Sequence, residues 1–194
     1  MAVIFPITLV LLMVVVVAFR QAYGFWSNLI MLGNTIVAAL VATNYFELLA
    51  GLLAGIASFL QYYADFIAIW VIFAVTVFVL KAVTDIVSRY SVRFPKPLEL
   101  AGNYLSVLAL GWVLVCFAAM TVHLSPLGRN AFAGGFKPES ANFWGFAPDR
   151  LWLGFAQRTS QGALGGNVFD PKGDLMLRYA ARREQSDRPP PKTP

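Results

Sequence analysis

One imidazole and one thiol occur in the 194 residues, His123 and Cys116. A metal centre within one chain needs several His, Cys, Asp or Glu residues at ligand spacing, and no such cluster stands beside either. A single cysteine gives no intrachain disulfide. Set in an apolar run, Cys116 reads as a small hydrophobe. Ser125 lies two residues after His123, yet a hydroxyl and an imidazole without an orienting third group make no triad. No GxSxG, HExxH or phosphate-loop pattern occurs. These residues predict no enzyme, no cofactor and no metal, with His123 as an interfacial residue. A site built by several His123 side chains around an oligomer axis is the competing reading.

Ion movement is the other chemistry open to an apolar chain, because ionisable side chains deep in a membrane mark ion and proton paths. Asp65 and Glu99 stand near the ends of apolar runs. Between those ends the polar groups that draw attention are Asn34, Thr35, Thr76, Asn103 and Ser106. Asn34 and Asn103 are expected to hydrogen-bond between helices. A proton-coupled carrier is disfavoured, while an uncharged pore in an oligomer stays open, and no small-molecule substrate is indicated. The net charge of +5 forms no basic stripe with interleaved aromatics, which excludes a nucleic-acid partner.

The elements that would position these residues follow from composition. Apolar residues make up 58% and charged residues 13%, against about 25% charged in soluble domains. Residues 1–126 hold five Lys/Arg and four acids, and the other ten basic and six acidic residues follow Pro126. Four apolar runs, 2–19, 27–46, 62–80 and 98–124, approach the roughly 20 residues that cross a hydrocarbon core of about 30 Å. Backbone groups in lipid must be satisfied internally, so the runs are helices. The expected fold is an all-α polytopic membrane domain over 1–126. No Lys or Arg precedes the first run and VAFR over 17–20 is a poor cleavage site, so that run reads as an uncleaved span.

Residues 48–60, LLAGLLAGIASFL, are too few to span and predict a short re-entrant or interfacial helix. Gly51 and Gly55 within it have the small-xxx-small spacing of close helix packing. Lys81, Asp85, Arg89 and Arg93 recur every four residues. They predict a basic helical face at the membrane surface, either meeting anionic headgroups or solvated and only fixing orientation. Arg20, Lys81, Arg89, Arg93 and Lys96 fall in the first and third connections, while the second, 44–64, has no Lys or Arg. The first and third connections are therefore expected to be cytoplasmic and both termini outside.

Beyond Pro126, residues 127–181 are rich in Gly and aromatics with little periodicity, which predicts an irregular extracytoplasmic region. It contains an echo, WGFAPDR over 144–150 and WLGFAQR over 152–158. Residues 182–194 are polar and proline-rich and are expected to be disordered.

The first run ends in RQAYG over 20–24, the third in a basic helix, and Glu99 opens a fourth run containing Gly102 and Gly111. In these features residues 1–125 resemble the colicin V production protein family, small inner-membrane proteins with four predicted spans. Glu99-Leu100 replaces the family's usual Asp-Arg, and the glycine spacing of four is degraded at Asn103 and Val107. The resemblance implies a non-enzymatic inner-membrane protein in toxin production or export, or in envelope maintenance. It implies close helix packing at Gly102 and Gly111. Beside the lipid bilayer, protein partners or a homo-oligomer are expected, through the small-residue faces and the outer tail. An oligomeric channel or transporter subunit is the alternative.

Overall fold

The computed structural model describes residues 3–56, 62–88, 92, 94–125, 132, 136, 143, 145–162 and 169–186. Among them the chain forms six helices and no strand: α1 (Ile4–Arg20), α2 (Phe25–Ile56), α3 (Ala64–Val87), α4 (Lys96–Leu124), α5 (Pro148–Gly162) and α6 (Leu175–Ser186), with a tight turn at Gln21–Tyr23. Four stretches, α1 with the turn that follows it (Ile4–Tyr23), α2, α3 and α4, are long and apolar enough to cross a membrane, which is compatible with a multi-pass membrane protein.

The side chains set the lateral order α1–α4–α2–α3, with α1 packed on α4 and α3 on α2. Small residues let the backbones approach: Ala39 and Ala42 of α2 and Ala68 of α3 are fully buried around Phe46, Ile69, Phe117 and Met120. A second cluster seats Phe5 and Leu9 of α1 against Val115 and Ala119 of α4. Phe19, Phe78, Leu105 and Leu48 project outward and are largely exposed. Apolar surface on that scale is unfavourable against water and suits hydrocarbon.

Three expectations change. Residues 48–56 form no helix of their own but continue α2, while 57–60 lie outside the described residues. The continuation is held by packing, since Leu49, Ala50, Leu53 and Ala54 lie in or against the core shared with α3. At 32 residues and 1.5 Å per residue, α2 is about 48 Å long, more than a bilayer core needs. Second, the region after Pro126 is not irregular throughout. Pro148 starts α5 at a position where its missing N–H costs nothing, and Trp152, Ala156 and Ser160 bury one stripe at four-residue spacing. The two halves of the echo differ, because Gly145 and Phe146 form a turn while Trp152–Arg158 is helical. Third, α6 reaches Ser186, so the expected disordered end is helical up to that point, and 187–194 lie outside the described residues. Arg89 and Arg93 of the expected basic face lie outside them as well.

Candidate functional site

α2 and α4 end, and α3 begins, at one end of the bundle, and there the helical cap α5–α6 sits. His123, on the last turn of α4, places Nε2 2.8 Å from Oδ2 of Asp149 on the first turn of α5. The two side chains are 0% and 1% exposed, so His123 is not interfacial. The indole of Trp152 donates to Thr43 Oγ1 of α2 at 3.0 Å and its ring meets Phe117 edge-on. Arg182 of α6 donates to Asp65 Oδ2 on the first turn of α3 at 2.5 Å. Three bundle helices are thus each tied to the cap by a different side-chain bridge.

The cap is also organised internally. Asp170 satisfies two N–H groups at the start of α6, those of Asp174 at 3.0 Å and Leu175 at 3.2 Å, as an acidic group at a helix start does. Ser160 Oγ accepts the N–H of Phe169 at 3.0 Å. Arg178 pairs with Asp174 at 2.9 Å and lies 3.7 Å from Glu47 of α2. Burial, then the neighbouring Asp65 carboxylate, pushes the Tyr179 phenol well above its ordinary range. Between α5 and α6 runs a cleft of about 470 Å³ lined by Arg150, Leu153, Gln157, Asp170, Met176 and Leu177 among others.

An imidazole on a carboxylate is the orienting half of a catalytic triad. Here Nδ1 of His123 and Oδ1 of Asp149 have no hydrogen-bond partner among the described residues, the ring is closed off edge-on by Phe136 at 4.9 Å, and neither side chain reaches solvent. Such a pair anchors a helix.

At the opposite end a second polar network joins α1, α2 and α4. Arg20 Nε donates to Asn28 Oδ1 at 3.0 Å and Nη2 to the Ser27 carbonyl at 3.4 Å, with the guanidinium over the Tyr23 ring at 4.4 Å. Asn28 Nδ2 donates to Asn103 Oδ1 at 2.7 Å, and Asn103 Nδ2 to the Gln21 carbonyl at 2.8 Å. Glu99 Oε1 accepts the N–H of Phe25 at 2.8 Å, capping α2. The turn before that cap needs Gly24, whose φ of +83° strains any other residue and where a Cβ would lie 3.0 Å from Glu99 Oε1.

α3 joins through Trp26 Nε1, which donates to Ser88 Oγ at 2.9 Å, and through Asn34 Nδ2, which donates to Thr84 Oγ1 at 3.0 Å. Lys81 pairs with Asp85. A cleft of about 300 Å³ opens between these groups, lined by Arg20, Tyr23, Trp26, Asn34, Lys81 and Asp85 among others.

The four singled-out glycines separate. A Cβ on Gly102 would lie 2.8 Å from the Phe25 ring, and one on Gly111 3.2 Å from Met13 Cγ. At Gly51 and Gly55 a Cβ would meet nothing within 4 Å, so these two do not pack against another described helix. Their four-residue spacing puts them on one face, and the face turned to the core is that of Ala50 and Leu53. Sequence reasoning missed Asn28, Thr43, Asp149, Tyr179 and Arg182. The four-residue spacing of Trp152, Ala156 and Ser160 was the available signal for the cap.

No protein-family model, curated protein or solved structure matches this chain. Among the described residues no three His, Cys, Asp or Glu side chains gather around a common point, and the carboxylates at the cap are engaged with Arg178, Arg182, Tyr179 and His123.

Proposed function

We propose that this chain is a non-enzymatic inner-membrane protein of the colicin V production type. In this reading it acts in toxin production or export, or in envelope maintenance, as an assembly or scaffold component, with the cap and both termini extracytoplasmic. The carrying observation is the cap itself, bridged to α2, α3 and α4 by Trp152–Thr43, Arg182–Asp65 and Asp149–His123. Such bridging uses the polar groups of this end for holding structure and leaves the α5–α6 cleft as a rigid surface for a protein segment. Pre-organisation of this kind lowers the ordering cost of binding.

The residues that carry the family resemblance also converge. Arg20, Glu99 and Gly102 meet the start of α2 at one junction, through Asn28, the Phe25 N–H and the Phe25 ring respectively. That supports a common architecture for the first and fourth spans. The channel alternative draws less support, because Asn34 and Asn103 spend their amides on hydrogen bonds within the chain.

The test is site-specific photocrosslinking in intact cells. A photoreactive residue at Leu177 or Arg150, both at the cleft, is expected to give an adduct with the same protein. One at Phe78, on the outer face of α3, is expected to give none. Absence of cap adducts, together with reproducible ion flux from purified protein in liposomes, would replace the scaffold with the channel.

A further inference from the structure

The cleft at the end opposite the cap has the chemistry of an amphiphile site. Its lining carries Arg20 and Lys81 against Asp85, a balance of one positive charge. Nε and Nη2 of Arg20 are engaged with Asn28 and Ser27, and among the described residues Nη1 has no hydrogen bond. The Lys81 ammonium has three donors and holds one carboxylate, Asp85. Tyr23 and Trp26 also line it, the residue types that collect at membrane–water interfaces.

Below this polar mouth the walls turn apolar within one helical turn. Phe78 lies three residues before Lys81 on α3 and is 75% exposed; Val37 lies three residues after Asn34 on α2 and is 47% exposed. Residues three apart on a helix share a face. Each side chain therefore lies on the same helix face as a cleft residue, one turn nearer the middle of the span. α1 packs on α4 and α3 on α2, and among the described residues α1 and α3 have no substantial packing on each other.

We propose that this cleft binds the phosphodiester headgroup of an anionic glycerophospholipid. Arg20 and Lys81 hold the phosphate, Trp26 and Tyr23 mark headgroup depth, and the acyl chains run along Val37 and Phe78. Free phosphate would use the polar mouth alone and leave the apolar walls unexplained, so the geometry points to the lipid.

Native mass spectrometry of the full-length protein in detergent tests this, with phosphatidylglycerol and phosphatidylcholine of identical acyl chains and inorganic phosphate as competitor. Phosphatidylglycerol is expected to be retained in preference to phosphatidylcholine. Lys81→Gln, at an exposed position that the fold does not need, is expected to weaken phosphatidylglycerol retention about fivefold, the effect of one basic group near a headgroup. Asp85→Asn is expected to strengthen it. Lys172→Gln, on the cap, is expected to leave it unchanged. Equal retention of the two lipids, or equal loss from Lys81→Gln and Lys172→Gln, would overturn the proposal. Displacement of the lipid by inorganic phosphate would reassign the mouth to a soluble anion and overturn the lipid assignment.

Discussion

The His123–Asp149 contact is made out of water, so removing one partner leaves the other buried without solvation, a larger cost than losing the bond itself. Either His123→Ala or Asp149→Ala is expected to destabilise the docked cap by about 2–4 kcal/mol. The double variant is expected to cost clearly less than the sum of the two, because neither orphan remains. Limited proteolysis of the cap in detergent, compared across the cycle, reads this directly; additive losses would mean that the pair is not coupled. Gly102 makes a second residue-scale test. A methyl there would overlap the Phe25 ring, which is itself packed on Phe94 with centroids 5.1 Å apart and has little room to give. Gly102→Ala is expected to lower stability by about 1–3 kcal/mol. Gly51→Ala, facing open space, is expected to be neutral or slightly stabilising through helix propensity. Thermal unfolding in one detergent compares them. Before the structure these glycines looked alike, because small-residue spacing reports a face and not which neighbour, if any, covers it.

At the scale of elements, α1, α3 and α4 were largely legible and α5 and α6 were not. A span is dictated by length and apolarity, which one window of sequence contains. The cap helices are short and partly polar, Gly154 weakens the helical signal of α5, and both dock on partners 109 and 117 residues away, Thr43 and Asp65. The apolar run 27–46 is long enough for a span by itself, so nothing in the sequence joins 48–56 to it, whereas the helix runs on through Glu47 under the packing of Leu49 and Leu53. The α6–α3 contact carries a pH dependence. Tyr179 has its folded pKa raised by burial and by Asp65, from an ordinary value of 10.0. The folded state therefore holds the proton more tightly than the unfolded one. Its contribution is complete below pH 10 and is lost as the pH climbs from there toward the folded value. Release of the cap is expected to become easier above about pH 10, and Tyr179→Phe is expected to flatten that dependence. Tryptophan emission from the cap side, followed between pH 7 and 10.5 for both proteins, decides it. A slope that persists in Tyr179→Phe would assign the effect to another group.

For the whole molecule, lateral order was hidden where span number was plain. Each run is apolar nearly all round, so which helix sits inside depends on small-residue contacts such as Ala39, Ala42 and Ala68 that many arrangements offer. The charge distribution, by contrast, becomes simpler once folded. The contacts of Phe25 with Glu99 and of Trp26 with Ser88 bring the start of α2, the start of α4 and the end of α3 together. Arg20, Lys81 and Lys96 thus share one end of the bundle. Glu47, Asp65 and the cap share the other. Basic residues in short connections are retained on the cytoplasmic side, so the proposed orientation puts the Arg20 end inside and the cap outside. Single cysteines in a Cys116→Ala background test it. Gln161, exposed at the end of α5, and Lys96, exposed at the start of α4, suit the purpose, whereas Ser160 is buried against Phe169. A membrane-impermeant maleimide is expected to label Gln161→Cys in intact cells and Lys96→Cys only after permeabilisation. The reverse pattern would leave the helix packing and the cap bridges standing. It would place the cap in the cytoplasm, put the phospholipid cleft in the outer leaflet, and remove the envelope-facing role proposed for the α5–α6 surface.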